Sequence, residues 1–569
     1  MAKTKVHPRI PSEVEGIQVN HCKNTSCVNF GIPASESRWA MKGDDAKGSY
    51  RIIGGERQAR YLTCHSCLKH TSLQSNLAVF QELSRFTPHK ARIDSASCIN
   101  QDCSSFGIGI KTNPEMYYQH GKTLSDEPRF RCRACGSTFS AGLPIRKQRR
   151  PELNREILNL LVNKVPMRRI CEILTVNPAT LYNKIEYLDH VMSRFSEEQE
   201  MKLMQSEVKM QRAYVSVDRQ DHTLNWGTQL DRRNIRLGAI GAVENMSGYV
   251  LAMQLNFDSG VDPNDVEADA IERADYELPP VFRHYARVWL RRDYLLPTSN
   301  NNDDGEDGEV AADSDIKAPH SGMQVHIQYT QAAIFFHLKR LLQGAEKIRF
   351  FLDRDPGLDN ACLSAFVEDI KARRVDAFTI QSTKAITMAK KKIIISRSNR
   401  AFDDFKLDTG LREESNLKHK YVVASLKAQQ ANESYSGWFK YPLGDMAEPE
   451  KSISYITNFG DFDIDHLVRL YMKASLKGID RFFMQVRRRL SILERPIGSA
   501  NNAGRTWFGY SAYSPLVAEQ VLRIFRVYYN YCLIGEDKRT PAMRIGLATK
   551  PFSLNEVSSP ENPRGIKSS

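Results

Sequence analysis

Three acidic residues of this chain stand where their carboxylates could meet around divalent metal. Asp218 closes the apolar run AYVSVD, Asp353 closes the apolar run IRFFLD, and Glu494 lies in the arginine-rich stretch QVRRRLSILERP. We expect the two runs to be strands and the third stretch to be a helix, so that two strand ends and one helix bring the carboxylates together. Carboxylate oxygens are the hard ligands that Mg²⁺ prefers, and paired ions of this kind perform in-line phosphoryl transfer. The three residues therefore predict a site for two Mg²⁺ or Mn²⁺ ions.

Other acidic residues lie close enough in sequence to compete for this assignment; they are Asp221, Asp355, Asp359, Asp463 and Asp465. We interpret Asp463 as the cap of the helix HLVRLYMKASL, because an aspartate at a helix start accepts hydrogen bonds from free backbone N–H groups. We favour Asp218 and Asp353 because each directly ends its apolar run.

Eight of the eleven cysteines lie in the first 140 residues and repeat as two sets of four. Each set opens with two cysteines five positions apart, followed by Phe-Gly, and closes with a Cys-x-x-Cys pair; the sets are Cys22, Cys27, Cys64 and Cys67, and Cys98, Cys103, Cys132 and Cys135. Four thiolates on two tight turns are typical of structural zinc, which stabilises units too small to build a core. A disulfide framework is the alternative, and His65 and His70 are alternative ligands in the first set.

A basic segment and three short helical patterns follow between residues 146 and 195. The third pattern begins at Pro178 after the turn Thr175-Val176-Asn177, which is the order of a helix-turn-helix. We expect its exposed face to contact DNA bases or phosphates through Thr180, Tyr182, Asn183 and Lys184, and the neighbouring Arg149, Arg150, Arg168 and Arg169 to contact phosphates. A three-helix bundle that contacts only protein is the alternative.

The charge of the chain is concentrated in two regions. Residues 1–195 carry 29 Lys and Arg against 17 Asp and Glu, and residues 481–550 carry 12 against 4, within a total net charge of +13. The remaining residues therefore sum to −7. Two basic regions separated by an acidic one predict two surfaces for a polyanion, of which double-stranded DNA is the commonest.

The middle of the chain predicts a mixed α/β fold. AYVSVD, IRLGAIGAV and YVLAMQLNF read as three antiparallel strands, and IRFFLD and VDAFTIQ as two further strands joined by the helix LDNACLSAFVEDIKARR in a parallel crossover. Insertions interrupt this pattern at about residues 258–323, where residues 303–315 are acidic and expected to be disordered, and at about 382–478, where KKIIISRS and YVVASLK read as strands. Residues 196–211 read as a helical connector.

The order Asp218, Asp353, Glu494, followed by YYNY and TPAMRIGL, resembles that of insertion-sequence DDE transposases of the ribonuclease H-like (retroviral integrase) superfamily. The resemblance implies a multidomain α/β chain: zinc ribbons at 1–75 and 76–145, a helix-turn-helix at 146–195, a ribonuclease H-like catalytic domain at 212–550 and a disordered tail at 551–569. It implies that Asp218 bridges two metal ions, with Asp353 on one and Glu494 on the other. Arg487, Arg488, Arg495 and Arg505 are the implied phosphate contacts.

The expected function is that of a DNA transposase that binds element ends as a homo-oligomer and cuts and joins strands. A transposase-derived DNA-binding regulator without catalysis and a ribonuclease H-like nuclease are the alternatives. No apolar run approaches the roughly 20 residues that span a bilayer, and the start MAKTKVHPRI lacks the apolar core of a secretory signal. We therefore expect a cytoplasmic, nucleoid-associated protein.

Overall fold

A computed structural model describes most of the chain, namely residues 9–34, 48–54, 60–86, 96–100, 103–106, 108–110, 113–122, 128–140, 150–225, 234–294, 321–383, 386–409, 414–494, 497–498, 506–507 and 514–558. Arg149, Arg495, Arg505, the acidic residues 303–315 and the last eleven residues lie outside these ranges. The predictions made for them therefore stay predictions.

The two cysteine-containing units each form a three-stranded antiparallel sheet. The first comprises β1 (Tyr50–Ile53), β2 (Tyr61–Cys64) and β3 (His70–Ser72), followed by helix α1 (Asn76–Ser84), and the second comprises β4 (Tyr117–Lys122), β5 (Pro128–Cys132) and β6 (Thr138–Ser140). Each unit has its own small buried cluster, which includes two of its cysteines and one tyrosine. These clusters are far smaller than the main core, as expected for units that depend on metal for stability.

The three helical patterns predicted between residues 146 and 195 are present as α2 (Leu153–Leu161), α3 (Met167–Leu174) and α4 (Pro178–Met204). Asn177 caps α4, accepting a hydrogen bond from the backbone N–H of Thr180. α4 continues for 27 residues, so the connector predicted at 196–211 is largely the second half of this helix. Its length follows from buried contacts that reach into the main core, among them Leu188, Met192 and Leu203.

The remaining strands, in chain order, are β7 (Met210–Asn225), β8 (Asn234–Glu244), β9 (Tyr249–Leu255), β10 (Phe257–Asp258), β11 (Met323–Gln324), β12 (Ala345–Asp353), β13 (Val375–Ser382), β14 (Trp438–Lys440), β15 (Lys451–Tyr455), β16 (Ile497–Gly498) and β17 (Thr506–Trp507). Seven of them form the central sheet, in the spatial order β14-β15-β13-β12-β7-β8-β9. β7, β8 and β9 are antiparallel neighbours, and β12 runs parallel to both β7 and β13. The predicted strand pattern and the parallel crossover are therefore confirmed.

The remaining helices, in chain order, are α5 (Pro263–Glu272), α6 (Ile327–Leu341), α7 (Pro356–Ala365), α8 (Val367–Lys371), α9 (Met388–Thr409), α10 (Glu414–Gln430), α11 (Ile464–Lys473), α12 (Lys477–Arg489), α13 (Pro515–Val527), α14 (Pro541–Ile545) and α15 (Leu554–Ser558). α7 and α8 form the connection between β12 and β13, with Leu358, Cys362, Phe366 and Ile370 buried at helical spacing. No helix in the described part of the chain is long and apolar enough to cross a membrane.

The prediction for the second insertion was wrong. KKIIISRS lies within α9 and YVVASLK within α10, whereas both had been read as strands. Isoleucine and valine favour strands only where a pleated surface buries them, and the flanking Lys, Ala and Leu residues are good helix formers. In α10 the buried residues Leu417, Val422 and Leu426 recur at helical spacing.

The C-terminal segment is packed more extensively than its composition suggests. Residues 551–569 had been predicted to be disordered, but α15 is formed within them and Val557 is fully buried. The Phe552 ring packs edge-on against Phe195 of α4, with 4.9 Å between ring centroids. The apolar residues Phe552 and Val557 are the signal that the Ser- and Pro-rich composition concealed.

Candidate functional sites

Each set of four cysteines forms one compact cluster of sulfur atoms. The Sγ atoms of Cys22 and Cys67 lie 3.5 Å apart, and those of Cys98 and Cys135 lie 3.4 Å apart. A tetrahedral zinc ion with Zn–S bonds of about 2.3 Å places its sulfurs about 3.8 Å apart, whereas a disulfide needs about 2.05 Å. All four ligand atoms of each set lie within 4.8 Å of one another, and none of these cysteines is in a disulfide. Each set could therefore hold a structural zinc ion.

The surroundings lower the pKa of some sulfurs in each set toward the thiolate form that zinc requires, whereas burial raises the pKa of Cys22, Cys27 and Cys98. Burial opposes ionisation of Cys64, but hydrogen bonds from Asn29 and from the backbone N–H groups of Cys67 and Ser66 outweigh it and lower the pKa to about 7. In the second set, hydrogen bonds from the hydroxyl and the backbone N–H of Ser137 lower the pKa of Cys135 to about 6. His65 and His70 do not belong to the first cluster, and His70 Nδ1 instead contacts the Thr63 hydroxyl at 2.8 Å.

Asp218 and Asp353 lie side by side on the central sheet. β12 ends at Asp353, as predicted, and the last register pair between β12 and β7 joins Leu352 to Val217. Asp218 is the next residue of β7, and neighbouring strands are about 4.8 Å apart. The prediction that Asp218 ends its strand was wrong, because β7 continues to Asn225 by pairing with β8 alone. The two carboxylates therefore stand where the parallel pairing ends.

α12 covers the face of the sheet to which Asp218 belongs. Gly241 is the register partner of Asp218 on β8, and a Cβ at Gly241 would lie 2.6 Å from Cδ1 of Ile479 in α12. The backbone N–H of Ile479 also donates to the hydroxyl of Ser216, two residues before Asp218, at 3.1 Å. Only a residue without a side chain permits this approach of the helix to the strand.

Glu494 lies beyond the helix on which it was predicted. α12 ends at Arg489, a short 3₁₀ turn covers Ser491–Leu493, and Glu494 follows with extended backbone. Its Oε1 lies 2.6 Å from Nζ of Lys164, which belongs to the turn between α2 and α3. The backbone N–H of Lys164 donates to the carbonyl of Arg489 at 2.7 Å, so the turn is held against the end of α12 by two contacts.

The described residues do not bring the three carboxylates together as a metal site. The only groups of three or more candidate ligands within 4.8 Å in the described ranges are the two cysteine sets. The donors are of the type that Mg²⁺ prefers, and Asp218 and Asp353 are adjacent, but Glu494 is engaged by Lys164. The assignment of these residues to one metal site stays a prediction.

The competing acidic residues have other partners. Asp221 accepts from Nε of Arg236 at 2.9 Å, and Asp355 caps α7 through the backbone N–H of Gly357. Asp463 caps α11 as predicted, accepting from the backbone N–H of His466. Burial raises the pKa of Asp359 to about 7, against the hydrogen bond that it accepts from Thr379.

Two polar residues near Asp218 were missed by the sequence reasoning. Gln220 and His222 are buried on β7 at alternate positions after Asp218, and Oε1 of Gln220 and Nε2 of His222 have no hydrogen-bond partner among the described residues. Burial lowers the pKa of His222 to about 4, with Asp221 opposing this shift and Arg487 adding to it. His222 is therefore neutral near pH 7. The alternating polar pattern of DRQDH after an apolar run was the available signal.

The DNA-contact residues predicted on the helix-turn-helix do not all face outward. Tyr182 and Asn183 are exposed and Thr180 is half-buried, but Lys184 is only 3% exposed. Its Nζ donates to the backbone carbonyl of Arg150 at 3.0 Å, and burial lowers its pKa. The prediction that Lys184 lies on the exposed face was therefore wrong: one α-helical turn after Thr180, it is buried beside Ile185.

The predicted phosphate-contacting arginines that the structure describes lie on two surfaces. Arg168 and Arg169 are exposed on α3 and both pair with Glu172, at 3.4 and 2.5 Å. Arg488 is exposed on α12, while Arg487 is half-buried within electrostatic reach of His222. These positions leave each prediction of a DNA contact open to test.

No protein-family model matches the chain, and no curated protein matches it significantly.

Proposed function

We propose that the chain is a DNA transposase that binds element ends and cuts and joins DNA strands with divalent metal. The observation that carries the proposal is the placement of Asp218 and Asp353 on adjacent parallel strands of the central sheet. The order of β9, β8, β7, β12 and β13, with the first three antiparallel and the last two parallel to β7, resembles that of a ribonuclease H-like catalytic domain. A mixed sheet alone hosts many functions, so the carboxylates carry more weight than the fold.

In this proposal Asp218, Asp353 and Glu494 hold two Mg²⁺ or Mn²⁺ ions. When bound, such ions activate an attacking hydroxyl and stabilise the leaving oxygen of an in-line displacement. Asp218 lies under α12 and is 3% exposed, so its carboxylate is shielded from bulk water on the side of the helix. Glu494 would join this set by exchanging its ion pair with Lys164 for a bond to metal. Arg488 on α12 faces solvent, where a phosphate can approach.

DNA recognition is assigned to the helix-turn-helix and the cysteine-containing units. The exposed side chains of Tyr182 and Asn183 lie at the start of α4, the position from which such helices contact bases in the major groove. The cysteine sets, each loaded with zinc, give the N-terminal units a fixed shape. A multimer on DNA follows from the need to hold two element ends.

The test is metal-dependent cleavage by the full chain of duplexes taken from the DNA that flanks its gene. Asp218→Asn, Asp353→Asn and Glu494→Gln should each lower the cleavage rate by about 100-fold or more, because each removes a charged metal ligand. Asp463→Asn is the matched control and should cleave like the parent, because Asp463 caps α11. If the parent does not cleave, the reading as a DNA-binding regulator replaces this one; if Glu494→Gln cleaves like the parent, the third ligand is misassigned.

A further inference from the structure

The two cysteine-containing units are built alike. In the first unit the backbone N–H of Cys22 donates to the hydroxyl of Tyr50, which donates to the carbonyl of Ile32. In the second unit Cys98, Tyr117 and Ile108 make the same two hydrogen bonds. The register pairs Tyr50 with Cys64 and Tyr117 with Cys132, so residues of one unit can be matched to residues of the other along both strands.

The first unit is fixed to the body of the protein. Nζ of Lys23, a half-buried residue, donates to the hydroxyl of Ser364 in α7 at 2.6 Å, and burial lowers its pKa. The hydroxyl of Thr25 donates to the carbonyl of Ile456, beside the edge of the central sheet, at 3.0 Å. A Cβ at Gly31 would lie 2.1 Å from Cγ1 of Val367 in α8, so the Val367 side chain occupies the space that a side chain at position 31 would need.

The second unit makes no such attachment through its described residues. Apart from Asn100 and Lys122, which have further partners, the described residues between 96 and 140 make their side-chain hydrogen bonds within the unit. Phe106 is 49% exposed, whereas its counterpart Phe30 is 3% exposed and packs in the main core. The second unit therefore presents surface that the first unit buries.

The outer face of the second sheet is basic. Tyr118 on β4 is the register partner of Arg131 on β5, and Arg129 lies two residues before Arg131, so the three share one face. The guanidinium of Arg133 lies 5.3 Å from the centroid of the Tyr118 ring, at the end of the same face. All three arginines are exposed, and none of them pairs with a carboxylate of the described residues.

The matching face of the first unit carries one exposed arginine, Arg51 at the position of Tyr118, and none at the positions of the three arginines. The counterparts of the three arginines are Tyr61, Thr63 and His65. Arginine is suited to phosphate because its guanidinium donates several hydrogen bonds in a fixed geometry and stays charged. The repeat has therefore diverged into one unit that attaches to the body and one whose sheet carries three exposed arginines.

We propose that the arginine face of the second unit, Arg129, Arg131 and Arg133 with Tyr118, binds the phosphate backbone of duplex DNA, while the first unit attaches to the body of the protein. This assignment rests on the proposed function in one respect, because that function selects duplex DNA as the ligand. The charge complementarity of three unpaired arginines with a polyanion selects that occupant. Backbone contacts of this kind position a protein on DNA without reading its sequence.

The experiment measures binding of the full chain to a 40-bp duplex of random sequence, by fluorescence anisotropy in metal-free buffer over a series of salt concentrations. The variant is Arg129→Gln with Arg131→Gln and Arg133→Gln. Loss of three phosphate contacts should lower the slope of log affinity against log salt by about 2.7, and the affinity at about 0.1 M salt by tenfold or more. The matched control removes the same charge from α9, by Lys390→Gln, Lys392→Gln and Arg397→Gln, and should leave the slope unchanged.

Each outcome has a defined meaning. A zinc content of two ions per chain in the triple variant establishes that its unit is folded. The proposal is overturned if the triple variant keeps the slope of the parent, if the α9 control loses as much, or if single-stranded RNA displaces the duplex at equal concentration. The binding assay needs no Mg²⁺ or Mn²⁺, so its result does not depend on whether the chain cleaves DNA in the assay for the proposed function. Likewise, a negative result in the binding assay leaves the outcome of the cleavage assay unaffected.

Discussion

Replacing Lys164 with methionine should strengthen binding of divalent metal at the predicted carboxylate site. Nζ of Lys164 lies 2.6 Å from Oε1 of Glu494, and the two side chains are 43% and 27% exposed. In the proposed metal-bound arrangement Glu494 has to leave this partner. Methionine keeps most of the length of lysine but offers neither charge nor hydrogen bond, so Glu494 is released.

The magnitude follows from the exposure of the pair. Partly exposed ion pairs are worth about 0.2 to 1 kcal/mol, because water and salt screen them. Removing this competition should lower the dissociation constant for Mn²⁺ by about 1.4- to 5-fold, since about 1.4 kcal/mol corresponds to a factor of ten. The backbone hydrogen bond from Lys164 to Arg489 remains in the variant, so the turn between α2 and α3 stays in place.

The assay is calorimetric titration of the zinc-loaded full chain with Mn²⁺. Lys209→Met is the control, because Lys209 is exposed in the segment between α4 and β7, and it should bind Mn²⁺ like the parent. In a Glu494→Gln background, Lys164→Met should give no gain, which isolates the coupling between the two residues. Equal gains in both backgrounds, or weaker binding in Lys164→Met, would refute the reasoning.

Three further predictions concern the units around this site. Elemental analysis of the purified chain should find two zinc ions. Chelation should unfold both N-terminal units, because their clusters of buried residues are small. A zinc content near zero in protein prepared without chelator would contradict the assignment of the two zinc sites. Lys184→Ala should lower the melting temperature more than Asn183→Ala, because Lys184 is buried and hydrogen-bonded. Asn183→Ala should weaken binding of a specific duplex more than Lys184→Ala. The reverse order of melting temperatures would indicate that Lys184 belongs to the DNA-binding surface. Burial raises the pKa of Asp359 to about 7, so its protonated form contributes stability that is complete below about pH 4 and is lost as the pH rises toward 7. The expected loss in the free energy of unfolding is about 1.4 kcal/mol per pH unit, and Asp359→Asn should remove it in urea unfolding between pH 4.5 and 7. An unchanged pH profile in this variant would contradict the raised pKa.

The parts of the fold that depend on burial could be predicted from the sequence. The five runs that lie in β7, β8, β9, β12 and β13 are mostly apolar, as expected for strands covered on both faces. The cysteine sets could be predicted because zinc tolerates few spacings. In both cases the signal is local and one interaction dominates it.

The features that could not be predicted from the sequence depend on contacts between distant segments. Asp218 had been placed at a strand end because the apolar run stops there, but β8 continues to pair with the polar residues that follow. Glu494 had been placed on a helix because arginines precede it, yet α12 ends at Arg489 and the turn between α2 and α3 supplies the partner Lys164. Neither pairing leaves a periodic signal in the sequence.

The most direct test of the proposed function is whether the chain joins DNA. An end-labelled duplex from the DNA beside the gene is incubated with the full chain, a supercoiled plasmid and Mg²⁺, and the label attached covalently to the plasmid is measured. A transposase should give joined product with the parent and none with Asp218→Asn. Cleavage of the duplex without joined product would indicate a nuclease, and joined product of equal yield from Asp218→Asn would contradict the assignment of the carboxylates.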